Sequence, residues 1–180
     1  MRTRRPSSTG SGTEPDRPTS PPPMKHALLF ALLFLGSCSK PAEEPGPSVP
    51  AGDPIAALHA DAAALAAKPE HGADEVEVQH ILIGFQGAPG IRATRSKEEA
   101  ERFAGELLLR IQAGEDFSEL VREYTDDSAP GIYTITKANR SQMVPGFGDV
   151  SWKLEVGEVG VSPWDAKKSP YGWHIIKRLR

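Results

Sequence analysis

Residues Met143 to Gly160 read MVPGFGDVSWKLEVGEVG. Met143 and Phe147 flank a Pro-Gly pair, and Asp149, Trp152 and Leu154 follow. Proline is welcome at the first position of a helix, where its missing N–H would have had no partner. The stretch is therefore read as a helical turn or two started by Pro145, ended by Gly157 and leading into a strand. On such a turn the thioether of Met143 and the ring of Phe147 could line a small apolar cup. Taken alone, the pair reads first as core packing, the usual fate of these residues. The polar groups elsewhere in the chain decide between the two.

Two of those groups are histidines. Glu75-Val76-Glu77-Val78-Gln79-His80-Ile81-Leu82-Ile83 alternates at first and is then apolar on both sides, which predicts a central strand. Its even-numbered face carries Val76, Val78, His80 and Leu82. The last strand, Gly172 to Leu179, sets His174 on the face of Gly172 and Ile176. Two shorter strands are expected, one over Glu158 to Val161 and one at an edge over Ile132 to Thr136. Between the first and second strands in chain order lie two helices. Ser96-Lys97-Glu98-Glu99 is a capping box, and Ala100, Phe103, Ala104, Leu107, Leu108 and Ile111 recur on one helical face. Gly114 ends that helix. Asp116 caps the next, which turns Phe117, Leu120, Val121 and Tyr124 inward. The run Thr125-Asp126-Asp127-Ser128-Ala129-Pro130-Gly131 is a turn-rich loop.

The 180 residues suffice for one domain with tails, and a net charge of -3 excludes a basic nucleic-acid surface. The first third is rich in Pro, Ser, Thr and Gly and cannot bury enough apolar surface to fold. The globular part is expected over residues 75–180. Cys38 is the single cysteine, so no intrachain disulfide can form. Met24-Lys25-His26 precedes the apolar run Ala27 to Leu35, and Gly36-Ser37-Cys38 follows, the layout of a secretory signal. That run is too short for a stable membrane span, which takes about 20 residues. Leu35-Gly36-Ser37-Cys38 resembles the bacterial lipobox, which implies cleavage before Cys38 and lipidation of its thiol. Residues 1–37 are thus read as a signal region, with translation expected to start at Met24 and residues 1–23 expected to be a spurious upstream extension. Cleavage removes five of the 21 basic and two of the 24 acidic residues and leaves a formal charge of -6. Such a body has no electrostatic hold on anionic lipid, so the lipid would do the anchoring. Residues 38–52 then form a lipidated, proline-rich linker. Residues 53–68 form an Ala-rich helix with Asp53 as its cap, either docked or serving as a spacer.

Six segments, in this order, resemble the parvulin family of peptidyl-prolyl isomerases. They are Val78-Gln79-His80-Ile81-Leu82-Ile83, Gly114-Glu115-Asp116-Phe117-Ser118-Glu119-Leu120, Tyr124-Thr125-Asp126-Asp127-Ser128, Gln142-Met143-Val144-Pro145-Gly146-Phe147, Gly157-Glu158-Val159 and Tyr171-Gly172-Trp173-His174-Ile175-Ile176. The resemblance implies an α+β domain of the FKBP-like superfold, a four-stranded antiparallel sheet with surrounding helices. It implies His80, Asp127 and His174 as the catalytic centre. Met143 and Phe147 would form a proline cup, with Ile135 as a third wall. Tyr171 would border the substrate and bond the histidines through its phenol, with Ser128 and Gln142 behind them. The expected partners are unfolded polypeptides containing Xaa-Pro bonds and, through Cys38, a membrane of the cell envelope, the outer one in a diderm host. The rival function is a catalytically weak, tethered holdase using the same groove.

Two bland alternatives stand beside this. The histidines could be satisfied core residues, and Asp127 could be an ordinary turn cap. A metal site is not expected, since the two histidines lack a third ligand at suitable spacing. No cofactor is implied. The chain departs from some parvulins where they carry a basic cluster that reads phosphoserine before proline. Gly84 stands there instead, followed by only Arg92, Arg95 and Lys97, so phosphate selectivity is not implied. The loop from Ser162 to Pro170 looks long, and Trp164 or Trp173 is expected to cover part of the cleft.

Overall fold

The computed structural model describes residues 51–180. The signal-like run, Cys38 and most of the linker lie outside them. Strands β1 (Glu75–Ile83), β2 (Ile132–Thr136), β3 (Val159–Ser162) and β4 (Trp173–Arg178) pair antiparallel in the order β2-β1-β4-β3. The register sets Val78 against Tyr133, His80 against Ile176 and Leu82 against His174. Residues opposite one another project to the same face. One face therefore carries Val76, Val78, His80, Leu82, Tyr133, Ile135, His174 and Ile176, and the other Ile81, Ile83, Val161, Trp173 and Ile175.

Each face has its own core. The Ile81 face packs on α2 (Lys97–Gln112) and α3 (Phe117–Tyr124) through Ala104, Leu107, Leu108, Leu120 and Val121. The expected caps are made: Ser96 and Glu99 close the capping box of α2, and Asp116 accepts the Glu119 N–H of α3 at 2.9 Å. The His80 face is covered by α4 (Pro145–Ser151), which brings Phe147 and Val150, with Trp152 and Leu154 just beyond it.

Helix α1 (Pro54–Ala67) docks rather than floats. Leu58 joins the first core and Leu65 the second, so the helix wraps the edge of the sheet at β3. Burying each leucine contributes about 1.5–3 kcal/mol. Asp61 Oδ2 accepts the Val161 N–H at 2.8 Å, satisfying an outward-facing donor of the edge strand. Lys153 Nζ donates at 3.0 Å to the carbonyls of Leu65 and Ala66, which closes the helix at its C-terminus. Any side chain on Gly105 of α2 would overlap the Pro54 carbonyl, so the two helices meet there backbone to backbone.

The Met143–Gly160 stretch departs from expectation in one respect. Pro145 does start the helix, but Trp152 ends it as C-cap, well before Gly157. The Trp152 ring is buried and its indole N–H donates to the Ala73 carbonyl at 3.3 Å, which draws the chain off the helix axis. Gly157, at φ 85°, shapes the turn into β3.

Candidate active site

β1 and β4 are neighbours, which brings their histidines together on the α4 side of the sheet. The rings are nearly parallel, 13° apart, with centroids 5.5 Å apart, and Nδ1 of His80 faces Nδ1 of His174 at 3.3 Å. His80 Nε2 meets Asp127 Oδ2 at 3.1 Å. An ionised carboxylate can only accept, so this nitrogen carries the proton. In the neutral ring Nδ1 of His80 is then an acceptor, and His174 Nδ1–H donates to it. His174 Nε2 is left with a lone pair, buried and without a partner among the described residues.

Both imidazoles are held neutral. Burial lowers the His80 pKa against the opposing pull of Asp127. Burial, then the neighbouring His80, pushes His174 down to about 3. Burial would raise the Asp127 carboxyl, but the Ser128 amide, the Tyr133 hydroxyl and His80 together outweigh it and hold it below the usual carboxylate range. Burial and the Asp127 charge raise the Tyr133 phenol, so it keeps its proton and donates it to Asp127 Oδ2 at 3.1 Å.

Asp127 is not the cap of its loop. Thr125 Oγ1 accepts the N–H groups of Leu82 and Asp127 at 3.1 and 3.2 Å, and Asp126 Oδ2 accepts the Gly84 N–H at 2.8 Å. Those two residues carry the turn, and the Asp127 carboxylate meets His80 and Tyr133 besides the Ser128 amide.

Above this polar floor α4 presents Phe147, 4% exposed. Its ring centroid lies 5.1 Å from His80, 5.6 Å from His174 and 5.7 Å from Tyr133. Met143 follows the 3-10 turn Arg140–Gln142 and borders the same space. The cleft measures about 420 Å³ and contains His80, Asp127 and His174 in its lining.

Several expected residues are placed differently. Ile135 is not a wall of the cup: it is fully buried in the core opposite Val76. Tyr133, two residues earlier on the same face, lines the cleft instead. Tyr171 lines the cleft, but its hydroxyl bonds neither histidine among the described residues; the phenol in the network is that of Tyr133. Ser128 is exposed and reaches Asp127 only through its backbone amide. Gln142 lines the cleft rim without touching the histidines. Trp173 is core, and Trp164 packs on Phe85; neither covers the cleft. Alternation in Ile132–Thr136 does put Tyr133 and Ile135 on one face. Choosing between them needs the pairing of β2 with β1, which is a tertiary fact.

Residues 65–179 match the family of the PPIC-type PPIASE domain. A Chaperone SurA from Pseudomonas fluorescens is 39% identical over 108 residues, 59% of this chain and 23% of that protein. A Foldase protein PrsA from a Geobacillus species is 37% identical over 91 residues, 49% of this chain and 32% of that protein. The chain thus spans about a quarter to a third of the length of these curated relatives. Among solved structures, the peptidyl-prolyl isomerase ESS1 from Candida albicans matches with a TM-score of 0.52 and 26% identity, covering 69% of this chain and 74% of its own. The solution structure of TbPIN1, 22% identical, shares the fold with a TM-score of 0.51, covering 61% of this chain and 100% of its own.

Proposed function

Because this chain belongs to the family of PPIC-type peptidyl-prolyl isomerase domains, we propose that it catalyses cis–trans rotation of Xaa-Pro bonds in unfolded or extended polypeptides. The observation that carries this reading is the contact of Phe147 with both histidines and Tyr133 above an ionised Asp127.

Rotation about an Xaa-Pro bond faces a barrier of about 18–20 kcal/mol, set by amide resonance. The planar amide holds extra negative charge on its oxygen; the twisted amide has lost it. Met143, Phe147 and Tyr133 hold the proline ring in an apolar cup and exclude the water that would solvate the planar form. The Asp127 carboxylate disfavours charge on the carbonyl oxygen and so raises the planar state relative to the twisted one. Only such differential interactions speed the step. Each factor of ten takes about 1.4 kcal/mol, so a few contacts suffice. His80 and His174 are positioning residues here: neutral and locked to each other, they hold the carboxylate in place. No covalent step is needed.

By the same reading the domain works at a membrane of the cell envelope, anchored through lipid on Cys38 and spaced from it by the linker. Cis–trans exchange of a short Xaa-Pro peptide, followed by NMR with the full chain, tests the activity. Accelerated exchange supports the isomerase. Peptide binding without any gain in rate would replace it with the holdase.

A further inference from the structure

The sheet has two edges, and the chain treats them differently. At β3 the side chain of Asp61 takes the outward Val161 N–H. At β2 the cover is partial. The His80 N–H donates to the Gly131 carbonyl at 3.0 Å, and the Lys137 N–H to the Asp74 carbonyl at 3.2 Å. Backbone groups in an antiparallel ladder face alternate ways, so Tyr133 and Ile135 bond towards β1. Ile132, Thr134 and Thr136 turn theirs outward. Asn139 covers the far half of that edge: its Oδ1 accepts the Thr136 N–H at 2.7 Å, and its Nδ2 donates to the Thr134 carbonyl at 3.2 Å. The N–H and carbonyl of Ile132 and the N–H of Thr134 have no partner among the described residues. Both side chains are exposed, Ile132 by 47%. Free strand edges are usually blunted, as Asp61 and Asn139 blunt the rest of this sheet's border.

The open half of β2 runs beside the cleft. Asp127 comes shortly before the strand and Gln142 shortly after it, and both line the cleft. Tyr133, which also lines it, rises from between the two open residues. A chain leaving the proline cup past Tyr133 therefore meets the outward groups of Ile132 and Thr134.

Resting on the isomerase reading, we infer that the Ile132–Thr134 edge of β2 is a second grip on the same polypeptide, whose extended flank adds itself to the sheet as a further strand. The bonds run main chain to main chain, so the grip does not depend on the client's side chains. A β-branched or aromatic residue set against the exposed Ile132 adds a cross-strand contact. Asn139 ends the added strand, because it already holds the Thr134 carbonyl and the Thr136 N–H.

The test is cis–trans exchange with the full chain on Ala-Leu-Pro-Phe and on two longer peptides, which carry Ser-Thr-Val-Thr-Val-Ser before or after that tetrapeptide. Such an extension reaches about 20 Å when extended. One of the two should raise kcat/KM by about tenfold, the scale of two or three net main-chain hydrogen bonds. The same peptide should slow hydrogen exchange at the Ile132 and Thr134 amides. Thr134→Pro removes an outward donor and leaves the bonds to β1, so it should bring the ratio of long to short peptide towards one. Equal rates on all three peptides, or a gain with both amides still exchanging freely, overturns the edge and leaves the isomerase reading standing. Protection of both amides without peptide, growing with protein concentration, gives the edge to a second copy of this chain and overturns the inference too. Absence of acceleration on every peptide overturns both readings. Because the peptide series needs no variant, the inference stays open to refutation even if Thr134→Pro does not fold.

Discussion

His80 and His174 face each other Nδ1 to Nδ1 at 3.3 Å, and only one of those two nitrogens carries a proton. The carboxylate of Asp127 decides which. By accepting the hydrogen bond of His80 Nε2–H it makes His80 Nδ1 the acceptor and orients His174 in turn. The pair is therefore a fixed, uncharged support under a charged group.

The neutrality of the pair has a consequence for stability. Both histidines have folded pKa values below their ordinary one, so the unfolded chain binds their protons first. Stability should be fully present above about pH 6.5 and fall as pH drops towards about 3, the folded value of His174. The slope is at most about 1.4 kcal/mol per pH unit for each histidine. The lowered Asp127 pKa acts in the same sense, adding stability that is lost only on acidification below the usual carboxylate range. Urea melts between pH 8 and 4 read this directly, and His174→Asn should flatten the dependence. A midpoint that does not move with pH would count against buried neutral imidazoles.

Activity should follow a different group. If Asp127 is the charge that matters, kcat/KM should stay flat from pH 8 to 5, because its carboxyl lies below the usual range. An acid limb inside that range, below the ordinary histidine value, would assign the rate to His80 instead. The check is exchange of one peptide over that range at constant ionic strength.

Tyr133→Phe removes one hydrogen bond to a carboxylate and keeps the ring against Phe147. Such bonds contribute about 1.5–3 kcal/mol. Without it the Asp127 pKa should rise, and any acid limb should move up with it. The turnover rate should drop by about tenfold while peptide affinity holds. Equal losses in rate and affinity would make Tyr133 a wall of the cup and nothing more.

Phe147→Ala opens a void between α4 and the histidines. A buried aromatic truncated in this way costs about 3–5 kcal/mol. Both turnover and peptide binding should fall, whereas Phe147→Leu should recover much of the stability and part of the binding. Unchanged turnover in the folded Ala variant would remove Phe147 from the proline cup.

Gly105→Val tests the docking of α1, since any side chain there meets the Pro54 carbonyl. Thermal denaturation should show a loss of about 2 kcal/mol or more, in the range of overpacked sites. Asp61→Ala attacks the same interface at its other end, leaving the Val161 N–H unpaired at a cost of about 1–3 kcal/mol. If neither variant shifts the melt, α1 adds nothing to the fold.

Local chemistry wrote much of this protein into its sequence. Alternation from Glu75 to Ile83 marks a central strand, the Ser96–Glu99 box starts α2, and Pro145 starts α4, because each depends on neighbours within a turn or a strand. Met143, Phe147, His80, Asp127 and His174 could be named from their segments, and all five border one cleft. What the chain alone did not settle was which of two like residues faces which space. Tyr133 and Ile135 share a strand face, but the pairing of β2 with β1 sends the first to Asp127 and the second to the core. Trp152 cut α4 short because its ring had a pocket to fill, and α1 docked because two leucines and Asp61 found partners distant in sequence. Periodicity and caps are properties of neighbouring residues; register, docking and a shared proton belong to residues that only folding brings together.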